Sequence, residues 1–132
     1  MTYKVVISNS KKTFPLKGLN ELLNGRMYNP RTKKYQNSVK RQNDDVCLKA
    51  IKKQLRGLVI SKPIRCHFHI YAQDKKHDRS NLCSSVSKSF ADSLILAGVI
   101  KNDTWDLYLD ETFCTEICKE FPRIEVLIEE VC

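Results

Sequence analysis

No apolar stretch in this sequence approaches the ~18–20 residues that a membrane span requires, so a transmembrane protein is excluded. The opening Met1-Thr2-Tyr3-Lys4-Val5-Val6-Ile7-Ser8 is too short an apolar run for a signal peptide and lacks a small-residue cleavage site. A cytoplasmic protein is expected. There is no internal repeat and no low-complexity tract. No two cysteines stand at C-x-x-C spacing, and Cys114 and Cys118 have no second pair at zinc-finger distance. The thiols at 47, 66, 83, 114, 118 and 132 therefore read as free and reduced. Cys66 with His67 and His69 is not a zinc set, because alternate strand residues point to opposite faces and the cysteine diverges from the histidines. The phosphate-binding G-x-x-x-x-G-K-[ST] loop, the G-x-G-x-x-G turn and the G-x-S-x-G nucleophile elbow are all missing. The serines at 84, 85 and 87 have no spaced partner that suggests a triad.

What remains is an ordinary globular composition, 42% hydrophobic and 29% charged, in 132 residues, a length that suits one domain. The charge is unevenly placed. Residues 1–65 hold 16 Lys/Arg against 3 Asp/Glu, a balance of +13, while residues 66–132 hold 7 against 12, a balance of −5. Lysines and arginines attract phosphates and clustered carboxylates attract divalent cations, so the division suits a metal-dependent protein acting on nucleic acid. Solvated surface charge accounts for the same numbers equally well.

Periodicity predicts an α+β domain, a mixed sheet with two main helices in the order β-α-β-α-β-β. The first strand covers Tyr3–Ser8, with Tyr3, Val5 and Ile7 on one face. A basic stretch marked by Gly25 and the Asn29-Pro30 turn follows. A helix is expected from about Tyr35 to Leu58, with Val39, Val46, Cys47, Ala50, Ile51, Leu55 and Leu58 on a broad apolar face. Its remaining surface carries Lys40, Arg41, Lys49, Lys52, Lys53 and Arg56, suited to phosphates or to water. A strand begins at Ile64, where Ile64, Cys66, Phe68, Ile70 and Ala72 alternate with polar residues. The second helix starts at an N-cap, Asp78 or Ser80, and ends at Gly98. Leu82, Val86, Phe90, Leu94 and Ala97 line its core side, and Asn81, Ser85, Lys88 and Asp92 form a polar stripe. A strand or hairpin over Trp105–Leu109, a less regular segment, and a last strand over Ile124–Val131 complete the chain.

The most economical chemistry available is carboxylate-bound Mg²⁺, with Lys88 as a phosphate contact. Asp78 and Asp103, however, flank the second helix, and sixteen residues at ~1.5 Å each separate its ends by roughly 24 Å. Only a return of the chain or a kink brings the two carboxylates together.

The ordered set Asp78-Arg79-Ser80-Asn81, Lys88, Asp92-Ser93-Leu94, Ala97-Gly98-Val99-Ile100 and Asn102-Asp103 resembles the signature of RusA-type Holliday junction resolvases. Leu19-Asn20-Glu21, the basic helix and Phe121-Pro122-Arg123-Ile124-Glu125-Val126 extend the likeness over roughly residues 16–130. They resemble the phage and prophage branch of that family. The resemblance implies a homodimeric, Mg²⁺-dependent endonuclease that resolves four-way DNA junctions by paired nicks. Asp78, Lys88 and Asp103 would be catalytic, and Asp78, Asp103 and Asp92 would hold the metal. Lys40, Arg41, Lys49, Lys52, Lys53, Arg79 and Asn81 would contact DNA. One departure stands out: Ser80 occupies the place of the motif's second aspartate. A hydroxyl brings no negative charge to a metal. Either Asp92, Asp74 or Asp106 compensates, or the protein binds junctions with cleavage weakened or lost. His77 stands where the family often has Arg.

Overall fold

A computed structural model describes residues 1–9, 13–16, 26–29, 34–75 and 78–131. The Leu19-Asn20-Glu21 segment, Pro30, His77 and Cys132 lie outside the described residues. The described chain runs β1 (Thr2–Ile7), β2 (Arg26–Asn29), β3 (Lys34–Asn37), α1 (Ser38–Gln54), β4 (Ile64–Ala72), α2 (Arg79–Leu96), β5 (Tyr108–Ile117) and β6 (Arg123–Glu130). The α+β class and the expected order hold, with an antiparallel β2–β3 hairpin added before α1. That hairpin takes Lys34–Asn37, so the helix expected from Tyr35 starts at Ser38 instead.

The main sheet has four strands in the order β1-β6-β4-β5. β6 is antiparallel to both of its neighbours, whereas β4 and β5 run parallel because α2 carries the chain back between them. Strict alternation explains which face is covered. Ile64, Cys66, Phe68 and Ile70 of β4 are buried, as are Ile124, Val126 and Ile128 of β6 and Val5 and Ile7 of β1. They join Cys47 and Ile51 of α1 and Val86, Phe90 and Leu94 of α2 in one core. Phe68 meets Phe90 edge-on at 5.5 Å and stacks on Phe113 at 5.1 Å. The opposite sheet face bears Arg65, His67, His69 and Tyr71, all partly exposed, and no helix packs there among the described residues.

α2 begins and ends as its sequence predicts. Asp78 is the N-cap, its Oδ1 accepting the Asn81 backbone N–H at 2.7 Å. Gly98 follows the C-cap with φ 77°, a left-handed conformation that favours glycine. β5 departs from expectation. Trp105 to Leu107 form a turn, and the strand continues to Ile117 across the segment expected to be irregular. As a sheet edge with few buried side chains, it shows little hydrophobic alternation to read. No helix among the described residues is long and apolar enough to cross a membrane.

Candidate nucleic-acid interface

α1 presents two sides of different character. Its inner side packs Cys47, Ile51 and Leu55 into the core. At 100° per residue, Arg41, Lys49, Lys52 and Lys53 fall on the outer side, and Arg56 follows in the next turn. All of these are exposed, and none pairs with a carboxylate among the described residues. Asp45 is the one acidic residue spaced onto that side. The result is an outward cationic stripe along the helix.

Lys40 belongs to a different environment. Its Nζ lies 2.6 Å from Asp44 Oδ2 and 2.8 Å from Asp92 Oδ2, with a side chain only 17% exposed. Burial alone would lower its pKa, but the two carboxylates outweigh that and hold it above the ordinary lysine value. Lys40 therefore ties α1 to α2 and is not offered to phosphate. Asn43 Nδ2 donating to Ser85 Oγ at 3.3 Å, and Ser93 Oγ donating to the Asp44 carbonyl at 3.1 Å, extend the same seam.

This seam relocates much of the polar stripe expected on α2. Asn81 and Ser85 are buried, Asp92 is held by Lys40, and only Lys88 is exposed to solvent without a carboxylate partner among the described residues. Arg79 and Ser80 are exposed beside Asp78 at the start of the helix. Here the carboxyl ends of β4 and β5 and the N-terminus of α2 enclose a cleft of about 420 Å³ that includes Asp74, Lys75, Asp78, Arg79 and Glu116. Clefts outside the carboxyl ends of parallel strands are common ligand positions in sheets of this kind. Asp74 was legible as one of the carboxylates that could compensate for Ser80. Glu116 was not, because nothing in its surroundings announced a strand.

Asp103 lies at the other end. The eighteen residues of α2 span about 27 Å. The turn after Asp103 leads into β5 at Tyr108, which pairs with Ile64, the first residue of β4. Ile64 N–H donates to the Leu107 carbonyl at 2.8 Å, and Leu107 and Tyr108 both donate to the Thr104 carbonyl. Asp78 borders the Ala72 end of the same strand. Nine strand residues span about 26 Å, so Asp78 and Asp103 occupy opposite ends of the sheet.

The residues expected to hold Mg²⁺ therefore do not fit one shared ion within a single chain. Asp78 and Asp103 are remote, Asp92 is engaged by Lys40, Ser80 is uncharged, and Asp106 stands beyond Asp103 at the far end. Among the described residues no group of three or more His, Cys, Asp or Glu side chains is placed to hold a metal ion. Cys66 is buried on the helix-covered face while His67 and His69 are on the open face, as strand alternation requires. No known family model matches the chain, and no curated protein matches it either.

Proposed function

We propose that this protein binds branched DNA through the outer side of α1, as a RusA-like dimer that has the binding surface without a metal site inside each protomer. The observation that carries the reading is the unpaired cationic stripe of Arg41, Lys49, Lys52 and Lys53, continued by Arg56. Cations spaced along one exposed helix side follow a phosphate backbone and release its counterions, which favours polyanions without regard to sequence. Preference for a four-way junction follows from the resemblance, as do the second copy of the chain and a cytoplasmic setting in a bacterial host of phage or prophage genes. The test is fluorescence anisotropy with a synthetic four-way junction and a linear duplex of equal length. Tight junction binding that weakens steeply with salt is expected, and equal weak binding to both DNAs would refute the reading.

A second reading retains the Mg²⁺-dependent junction endonuclease. It is favoured by the placement of Asp78 and Asp103 at opposite ends of α2, because a two-fold axis across that helix brings unlike ends of two copies together. Mg²⁺ held between carboxylates of two protomers would polarise the scissile phosphate, while Lys88, exposed about midway along the helix and roughly 15 Å from Asp78, would meet a phosphate farther along the strand. Paired nicks in Mg²⁺ that vanish in Asp103→Asn would select this reading over the first.

A further inference from the structure

Where the end of β1 meets α1, the cationic side of the helix borders a groove that phosphate attraction alone leaves without a use. Its volume is about 420 Å³, the scale of a small-ligand site. Val6, Pro15, Val46 and Ala50, all half-buried, give it apolar walls. Lys49 and Lys53 stand on its rim, four residues apart and so about 6 Å apart along the helix axis. The walls are set without a ligand. The Gln54 side chain is clasped to β1: the Val6 N–H donates to its Oε1 at 2.7 Å, and its Nε2 donates to the Val6 carbonyl at 2.6 Å. On the Pro15 side, the Phe14 N–H donates to Gln73 Oε1 at 2.7 Å, and Leu16 is buried. Asn9 Nδ2 donates to Thr13 Oγ1 at 3.1 Å and ties the end of β1 to that same segment. A groove fixed in advance loses little freedom when it is filled.

The charge of the groove narrows what it holds. Among the described residues, Lys49 and Lys53 are the only ionisable side chains that line it, both exposed and neither paired with a carboxylate. Two ammonium groups above apolar walls suit an occupant that is anionic at its edge and apolar in its body. Both lysines also belong to the outer stripe of α1, so the groove is continuous with the surface assigned to DNA. We infer that it seats one unpaired nucleotide of a DNA strand, with the flanking phosphates on Lys49 and Lys53 and the sugar and base against Val46, Ala50 and Pro15. The inference rests on the DNA-binding reading above and gives that reading a physical reason to favour branched over linear DNA. In a linear duplex each base is covered by its stacked neighbours, which leaves phosphates for the rim and nothing for the walls. An unpaired nucleotide has no pairing to lose and brings its apolar faces to them.

The experiment uses the intact protein and three labelled DNAs: a linear duplex, a fork with two unpaired thymidine arms, and a fully paired four-way junction. Anisotropy titrations compare the parent with Ala50→Phe, which fills the groove and leaves every charge of the stripe in place. Ala50→Leu is a second, smaller filling, and far-UV circular dichroism checks the folding of both. The parent is expected to bind the fork about five- to tenfold more tightly than the duplex. Both variants should lose that advantage, with duplex affinity and its salt slope unchanged. Five-residue oligothymidine titrated into the parent should move the Val46 and Ala50 methyl NMR signals saturably. A fork bound no more tightly than the duplex overturns the inference. So does an advantage that survives both fillings, or a loss that falls equally on all three DNAs. If the junction is still preferred to the duplex in those cases, the DNA-binding reading stands without the groove. A fork advantage that the fillings abolish, with no preference for the junction, keeps the groove and removes the four-way reading.

Discussion

Replacing Lys49, Lys52 and Lys53 together by glutamine removes three of the five cations on the outer side of α1 and the turn that follows it, and leaves Arg41 and Arg56. All three lysines are exposed and unpaired with carboxylates among the described residues, so the change leaves the core and the Lys40 seam intact. Glutamine is nearly as good a helix former as lysine, so folding stability should stay within about 0.5 kcal/mol. The effect on binding is calculable. Each neutralised phosphate contributes about 0.9 to the slope of log K against log salt. If each cation meets one phosphate, the parent loses roughly 500-fold in affinity between 50 and 200 mM salt, and the variant only about 12-fold. Anisotropy titrations of a labelled junction at four salt concentrations, with far-UV circular dichroism to confirm folding, measure both slopes. A variant slope equal to the parent's would show that α1 does not touch the DNA and would remove the central argument for the binding reading.

Four further outcomes follow from the packing. Phe90→Ala empties the centre of the core between α2 and the sheet, and chemical denaturation should report a loss of about 3–5 kcal/mol. Asp78→Ala should cost about 1 kcal/mol as a lost N-cap, whereas Asp78→Asn preserves the cap and should be close to neutral; equal losses in both would contradict the capping role. Burial pushes the Cys47 and Cys66 thiols up to about 12, so mass spectrometry after brief alkylation at pH 8 should find Cys114, which is exposed, labelled and these two protected. Glu125 is held below the usual carboxylate range, first by its hydrogen bond from Lys4, with Arg123 adding to it and burial opposing. Its contribution to stability is therefore fully present above about pH 4.5, its unfolded value, and is lost as pH falls through the lower folded one. Glu125→Gln should flatten that acid limb in urea titrations between pH 5 and pH 2, and an unchanged limb would assign the acid sensitivity elsewhere.

Residues that report on a periodic environment are legible in the sequence. β4 alternates strictly, α2 repeats apolar residues every three or four positions between Asp78 and Gly98, and β6 places Ile124, Val126 and Ile128 inward. β5 escaped because Asp110, Thr112, Cys114 and Glu116 face the open side while Phe113 and Ile117 remain partly exposed on the other, so no pattern of burial shaped it. The hairpin of β2 and β3 escaped because pairing between strands is a relation between segments and leaves little mark on either one.

By itself, the sequence determined the class of fold, the limits of α2 and its Asp78 cap, the inward residues of most strands, and the basic character of α1. These are local consequences of side-chain period and capping chemistry, which act within a few residues. Only the tertiary structure decided what each charge is for. It turned Lys40 and Asp92 inward to join the two helices, and it left Arg41, Lys49, Lys52 and Lys53 facing water. It placed Asp74 at the cleft beside Asp78, turned the Glu116 carboxylate to His69 on the open sheet face, and set Asp103 beyond the far end of α2. The reason is distance: a charge acts on whatever lies within a few ångströms, and which residues those are depends on how the elements pack.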